Sequence, residues 1–123
     1  MKTLIIDDDE FILDLYKRVF KLEKHEVDTA SDGAEGLAKL GKMDSLPDVI
    51  VLDIMMPHMN GFDFLQKIKS DDAFKNIPVI ILSNLYSRED RKKGLDLGAS
   101  VYLVKSEHDP KEIVTHALTV VQG

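Results

Sequence analysis

The sequence predicts an α/β protein with a doubly wound parallel sheet, and three observations lead to this fold class. Short runs of apolar, largely β-branched residues recur along the chain without alternating with polar ones. Helical periodicities fill the intervals between these runs, and no apolar run approaches the ~20 residues of a membrane span. Because continuous apolar runs of this length are typical of strands covered on both faces, the pattern predicts a (βα)5 sandwich.

Length, composition and charge restrict the class of protein. The chain has 123 residues, 44% of them hydrophobic, which suffices for one core and predicts a single domain over residues 1–123. With no cysteine, disulfide scaffolds, thiolate metal sites and cysteine nucleophiles are excluded. The net charge of −6 argues against nucleic-acid binding by this domain. No signal peptide precedes Asp7, so we expect a soluble cytoplasmic protein without a membrane segment.

Five strands are predicted. Four of them are the apolar runs Leu4–Ile6, Val49–Leu52, Val79–Leu82 and Val101–Val104. The fifth, Glu26–Ala30, is more polar and suits an edge of the sheet.

The first helix shows the clearest amphipathic pattern. Its apolar stripe has the spacing i, i+3, i+4, i+7, i+8 and consists of Ile12, Leu15, Tyr16, Val19 and Phe20. Phe11 and Leu13 lie off this stripe, so both are expected to be exposed and available to a partner.

Four further helices follow. The second begins near Gly33 and should stop at Gly41, and the third begins after Gly61. The fourth, Arg88–Leu97, is charge-rich with few apolar residues and should be the least anchored. The fifth starts at Pro110, a residue favoured in the first helical turn.

Right-handed crossovers make 2-1-3-4-5 the expected strand order. In such sheets ligands bind at the carboxyl ends of the strands where the order reverses, here between the first and third strands. The residues that end the strands are therefore the candidates for function.

Polar residues follow every apolar strand. Asp7 and Asp8 follow the first strand, Asp53 the third, Ser83 the fourth and Lys105 the fifth. Three converging carboxylates repel one another and require a cation, for which hard oxygen ligands favour Mg²⁺ or Mn²⁺. A lysine and a hydroxyl beside them are the groups that phosphoryl transfer needs, which makes Asp53 a candidate nucleophile for an aspartyl phosphate.

Other interpretations of the acidic residues remain open at this point. The run Asp7–Asp9 is also typical of a helix cap, although Asp9 alone would suffice for that role. A flavin mononucleotide carrier has the same architecture, but the acids would repel its phosphate. A hydrolase of the Asp-x-Asp type lacks its second acid, since Met55 stands two residues after Asp53. An interaction domain without phosphorylation is a further alternative.

Motifs along nearly the whole chain resemble the response-regulator receiver domain of two-component signalling, a family with the flavodoxin-like fold. The matching segments are Leu4–Asp9, Pro47–Asp53, Met56-Pro57 with Gly61, Val79–Ser83, Gly98-Ala99 and Tyr102–Lys105. The resemblance implies a switch that accepts a phosphoryl group from a phosphohistidine of a sensor kinase or phosphotransfer protein. It also implies an output partner or effector domain, with a phosphorylation-dependent dimer as one open outcome.

The resemblance also implies roles for individual residues. Asp53 would be the phosphoacceptor, and Asp8 a direct Mg²⁺ ligand. Asp7 would bind the ion directly or through water, and Met55 through its backbone carbonyl.

Three further residues would respond to the phosphoryl group. By the same resemblance, Ser83 and Lys105 would contact its oxygens. Tyr102 would be the aromatic residue that changes rotamer on activation, at a surface made of the fourth helix, fifth strand and fifth helix.

The chain departs from the family pattern at several positions. Ser106 replaces the usual proline after Lys105, which leaves the geometry of that peptide bond open. Asn84 is larger than the small residue usual at its position. The chain has Lys24-His25 where the family usually has a glycine, so a left-handed residue is expected there.

Overall fold

The structure is a computed structural model that describes all residues, 1–123. Five strands and five helices alternate along the chain. They are β1 (Lys2–Ile6), α1 (Glu10–Leu22), β2 (Glu26–Ala30), α2 (Gly33–Lys42), β3 (Val49–Leu52), α3 (Gly61–Lys69), β4 (Val79–Ser83), α4 (Arg88–Asp96), β5 (Val101–Val104) and α5 (Pro110–Gln122). A short 3₁₀ turn, Lys105–Glu107, joins β5 to α5. All strand pairs are parallel and their order is β2-β1-β3-β4-β5, which confirms the predicted fold class and topology.

The sheet separates two apolar layers because successive strand residues point to opposite faces. On one face α1 and α5 pack around a cluster that includes Ile5, Phe20 and Ile113. On the other face Leu4 and Ile6 belong to a second cluster, to which α3 contributes three fully buried side chains. This two-sided burial explains the continuous apolar runs in the strands.

Two predictions for the helices are wrong. Leu13 is buried rather than exposed, since α1 turns a face composed of Leu13, Tyr16 and Phe20 toward the sheet. Phe11, in contrast, is 76% exposed as predicted. Gly41 does not stop α2, because a single glycine costs a helix only about 1 kcal/mol and the helix continues to Lys42.

Two backbone questions raised by the sequence are answered by the structure. Lys24 has a φ of 67°, so the left-handed residue expected after α1 is present without a glycine. The Lys105–Ser106 bond is trans, since the chain contains no cis peptide bond. Among the five helices, none is long and apolar enough to cross a membrane.

Candidate functional site: an acidic cleft at the sheet's carboxyl edge

The register of β1 and β3 brings two carboxylates to the same edge of the sheet. Ile6 and Leu52 are paired across these neighbouring strands, so the residues that follow them emerge side by side. The Asp53 amide donates a hydrogen bond to the Ile6 carbonyl at 2.9 Å, which extends the pairing by one step. Asp7 and Asp53 are therefore positioned by the sheet itself rather than by a loop.

Three aspartates converge at this edge. One carboxylate oxygen from each of Asp7, Asp8 and Asp53 lies within 4.8 Å of the others. Asp7 and Asp53 are buried, whereas Asp8 is exposed and opens the cluster to solvent. Asp9 lies outside this group and caps α1, because its carboxylate accepts hydrogen bonds from the amides of Phe11 and Ile12. Capping of α1 and formation of the acidic cluster thus fall to different residues.

Lys105 supplies the positive charge of the cluster. Its Nζ lies 2.5 Å from Asp7 Oδ2 and 3.3 Å from Asp53 Oδ2. Burial alone would lower the pKa of Lys105, but the hydrogen bond to Asp7 and the charges of Asp53 and Asp7 outweigh it and raise that pKa. The lysine is accordingly an ammonium ion held between two carboxylates.

The two buried carboxylates use their second oxygens differently. Asp7 Oδ1 accepts from the Asp9 amide at 2.9 Å, and burial raises the pKa of Asp7 more than this bond and Lys105 lower it. Asp53 Oδ1 accepts from the amide of Ile54 at 2.8 Å. The Asp53 side chain is thereby oriented by the amide of the next residue on one oxygen and by Lys105 on the other.

Ser83 and Met55 border the same cleft, whose volume is about 220 Å³. Ser83 is buried, and its Oγ accepts a hydrogen bond from the Leu85 amide at 3.2 Å. Met55 lines the cleft with a side chain that is 63% exposed, and Asn84 borders it as well. A larger groove of about 440 Å³ runs beside α3, but it has no comparable convergence of charges. The acidic cleft is therefore the candidate site.

Tyr102 is the one predicted site residue that lies outside the cleft. Its ring is buried, and its hydroxyl donates a 2.6 Å hydrogen bond to the Leu85 carbonyl. Burial raises the pKa of Tyr102, so the hydroxyl stays protonated as a donor. Because Ser83 accepts from the Leu85 amide while Tyr102 donates to the Leu85 carbonyl, one backbone residue connects the cleft with the tyrosine.

Two positioning roles were not predicted by the sequence analysis, although Gly61 itself is part of the motif that it matched. A Cβ on Gly61 would lie 2.2 Å from the Asp53 carbonyl oxygen, so only glycine lets α3 start this close to the acidic cleft. Leu85 acts through its backbone, which leaves no side-chain signal in a sequence. For Gly61, the available signal was its place in the matched motif, at the first position of α3.

A family model described as the response regulator receiver domain matches residues 3–118. The chain belongs to this family. Response regulator PleD of Caulobacter vibrioides is 41% identical to the receiver domain over 108 residues, which are 88% of this chain and 23% of PleD. Protein PilG of Pseudomonas aeruginosa is 38% identical over 105 residues, covering 85% of this chain and 76% of PilG. The receiver domain thus spans about a quarter of PleD and about three quarters of PilG.

Solved structures agree with this membership. The chemotaxis protein CheY4 of Vibrio cholerae superimposes with a TM-score of 0.88 at 33% identity and covers 97% of both chains. The receiver domain of the Francisella response regulator 1452 gives a TM-score of 0.87, also at 33% identity, over 98% of this chain and 96% of its own. The resemblance stated from the sequence motifs is confirmed, and so is the regulatory class of the domain.

Proposed function

We propose that residues 1–123 form one receiver domain that accepts a phosphoryl group on Asp53 from a phosphohistidine and changes its surface in response. The observation that supports this most directly is the contact of one ammonium ion with two buried carboxylates at the topological switch point. A sensor kinase or a phosphotransfer protein would be the donor.

The donor set fits a hard divalent cation. Three carboxylates and one ammonium leave two uncompensated negative charges in the cleft, and the oxygens are of the type that Mg²⁺ and Mn²⁺ prefer. Asp7, Asp8, Asp53 and the carbonyl of Met55 would hold the ion. When bound, it would neutralise charge on the oxygens of the phosphoryl group.

The chain's own groups account for the transfer. A carboxylate oxygen of Asp53 attacks phosphorus, and the P–N bond to the donor histidine breaks with its electron pair left on the imidazole nitrogen. Lys105 shifts from Asp53 to a phosphoryl oxygen, keeping its bond to Asp7. Ser83 exchanges the Leu85 amide contact for donation to a second phosphoryl oxygen.

Incubation with Mg²⁺ and a small acyl phosphate, followed by intact-mass measurement, tests this proposal. We expect one added phosphoryl group, which Asp53→Asn abolishes and chelation of Mg²⁺ suppresses. Asp72→Asn is the matched control, because Asp72 is exposed and distant from the cleft in the α3–β4 loop. A folded wild-type protein that gains no phosphoryl group would instead favour an interaction domain that is not phosphorylated.

The output surface would be the one formed by α4, β5 and α5. Ser83 moving toward the phosphoryl group would release the Leu85 amide, whose carbonyl holds Tyr102. Amide hydrogen exchange with and without beryllofluoride should change within residues 83–106 and leave α1 unaffected beyond its first turn. Ser83→Ala should uncouple this change from modification of Asp53, and a uniform response over the whole chain would contradict the switch.

The lifetime of the phosphoryl group depends on the side chains that flank it. Met55 and Leu85 stand two residues after Asp53 and Ser83, and neither can orient a water molecule by hydrogen bonding. We expect the adduct to persist for many minutes or longer and Met55→Asn to shorten its life. Decay of the wild-type adduct within seconds would contradict this assignment of the slow step to Met55 and Leu85.

A further inference from the structure

The strand β2 forms one edge of the sheet and pairs only with β1. The Ala30 carbonyl accepts a hydrogen bond from the Asp7 amide just beyond the end of β1, so residue 30 turns its backbone groups toward β1. Because the backbone groups of consecutive strand residues point in alternate directions, those of Val27 and Thr29 face away from the sheet. Outward-facing amides and carbonyls of this kind are a template for pairing with another chain.

Side chains occupy both outward-facing backbone groups of Thr29. The Asp28 carboxylate accepts a hydrogen bond from the Thr29 amide at 2.8 Å, and the Lys39 ammonium of α2 donates to the Thr29 carbonyl. Lys39 Nζ also lies 3.1 Å from Asp28 Oδ1, so one ion pair covers the amide and the carbonyl together. Val27, in contrast, borders an open groove of about 400 Å³. The edge of β2 is therefore capped at Thr29.

Capping of Thr29 is sufficient to block a symmetric pairing of two β2 strands. When a second copy pairs antiparallel about a two-fold axis at Asp28, Val27 of each copy stands opposite Thr29 of the other. Residues opposite each other in this way exchange their amide and carbonyl bonds, so every hydrogen bond of the pairing needs one group of Thr29. The two Asp28 side chains would also stand opposite each other, and like charges in this arrangement are destabilising.

We propose that the Asp28–Lys39 pair is an edge guard, which keeps this chain from pairing through β2 with a second copy of itself. Asp28 supplies the acceptor and the repulsion, and Lys39 supplies the donor. Because a two-fold pairing uses the β2 edge of both copies, removal of the guard predicts a dimer and no larger assembly. The guard uses neither the acidic cleft nor phosphorylation of Asp53, so it does not depend on the proposed function.

Sedimentation velocity of the unphosphorylated full chain at increasing protein concentration tests the proposal. In the double variant Asp28→Thr/Lys39→Met, both outward groups of Thr29 are free and the repulsion is absent, while the net charge of −6 is unchanged. The apparent mass of this variant should rise toward twice the monomer value as its concentration increases. Hydrogen exchange at the amides of Val27 and Thr29 should slow over the same range. The unaltered chain should show neither change.

Matched variants separate edge pairing from other association. Asp72→Thr/Lys42→Met removes one exposed acid and one exposed lysine that make no bond to β2, and it should behave as the unaltered chain does. Adding Val27→Pro to the Asp28→Thr/Lys39→Met variant should abolish its association, because proline has no amide hydrogen to donate at a strand edge. Association in the control, association that survives Val27→Pro or extends beyond a dimer, or a double variant that stays monomeric would overturn the proposal. Circular dichroism of each variant excludes unfolding as the cause.

Discussion

The helices α1 and α4 begin alike but are anchored very differently. Each starts with a capping side chain, Asp9 for α1 and Ser87 for α4, that accepts hydrogen bonds from the first turn. Yet α1 buries three large side chains against the sheet, whereas the only buried residue of α4 is Gly94. Local helix signals are therefore similar, and what separates the two helices is how much apolar surface each removes from water.

The close approach of its backbone to the sheet, rather than the burial of side chains, holds α4 in position. A Cβ on Gly94 would lie 2.5 Å from Ile81 Cδ1 and 3.0 Å from the Tyr102 ring, so the helix backbone rests directly on the sheet. Two cations add to this contact, Arg91 over the ring of Tyr102 and Lys93 over that of Phe62. A helix held by such contacts shifts at lower cost than one with a buried apolar face, which agrees with the role proposed for α4 in switching.

The largest effect on stability is expected in α1. Phe20→Ala removes a fully buried side chain and should lower the free energy of unfolding by about 3–5 kcal/mol. Phe11→Ala, at an exposed position of the same helix, should change it by no more than about 0.5 kcal/mol. Urea denaturation measures both. Similar losses for the two variants would show that α1 is not anchored through this face.

The contact beneath α4 predicts the next largest effect. Gly94→Ala forces the helix away from Ile81 and Tyr102 and should cost about 1–3 kcal/mol, although alanine favours helix formation by about 1 kcal/mol. In α2, a Cβ on Gly41 would meet no atom within 4 Å, so Gly41→Ala should stabilise by up to about 1 kcal/mol. Thermal unfolding of both variants should therefore give shifts of opposite sign. Shifts of the same sign would remove the close-approach argument.

A smaller effect is expected from the cation above Phe62. Lys93 Nζ lies 4.6 Å from the ring centroid, a contact worth about 0.5–1 kcal/mol at an exposed site. A double-mutant cycle of Lys93→Met and Phe62→Leu isolates this coupling from the burial of each side chain. A coupling energy indistinguishable from zero would leave Gly94 as the main anchor of α4.

Lys39 links α2 to the edge strand β2 through Asp28, and the smallest effect on stability is expected at this contact. Burial would raise the pKa of Asp28, but hydrogen bonds from Lys39 and the Thr29 amide outweigh it and lower that pKa. Hydrogen bonds from Ser31, and then Lys39, likewise lower the pKa of Glu35. Carboxylates with depressed folded pKa values stabilise above their unfolded pKa and lose this contribution as the pH falls through the folded pKa.

Lys39→Met should consequently cost about 0.5 kcal/mol at neutral pH, a value that allows for solvent screening of these exposed groups. Below the folded pKa values of Asp28 and Glu35, both of which lie under their ordinary values, the variant and the unaltered chain should unfold at the same urea concentration. A difference that persists in acid would indicate that Lys39 acts through packing of its alkyl chain.

The sequence by itself determined the strand pattern, the strand order and the residues that end each strand. These follow from local composition and from the few topologies that parallel strands allow, so the convergence of Asp7, Asp8 and Asp53 was predictable. The tertiary structure decided the rest. Whether Leu13 is buried, and how closely Gly61 and Gly94 approach their neighbours, depends on elements distant in the chain. Contacts of this kind are set by packing between elements, which periodicity within one element does not specify.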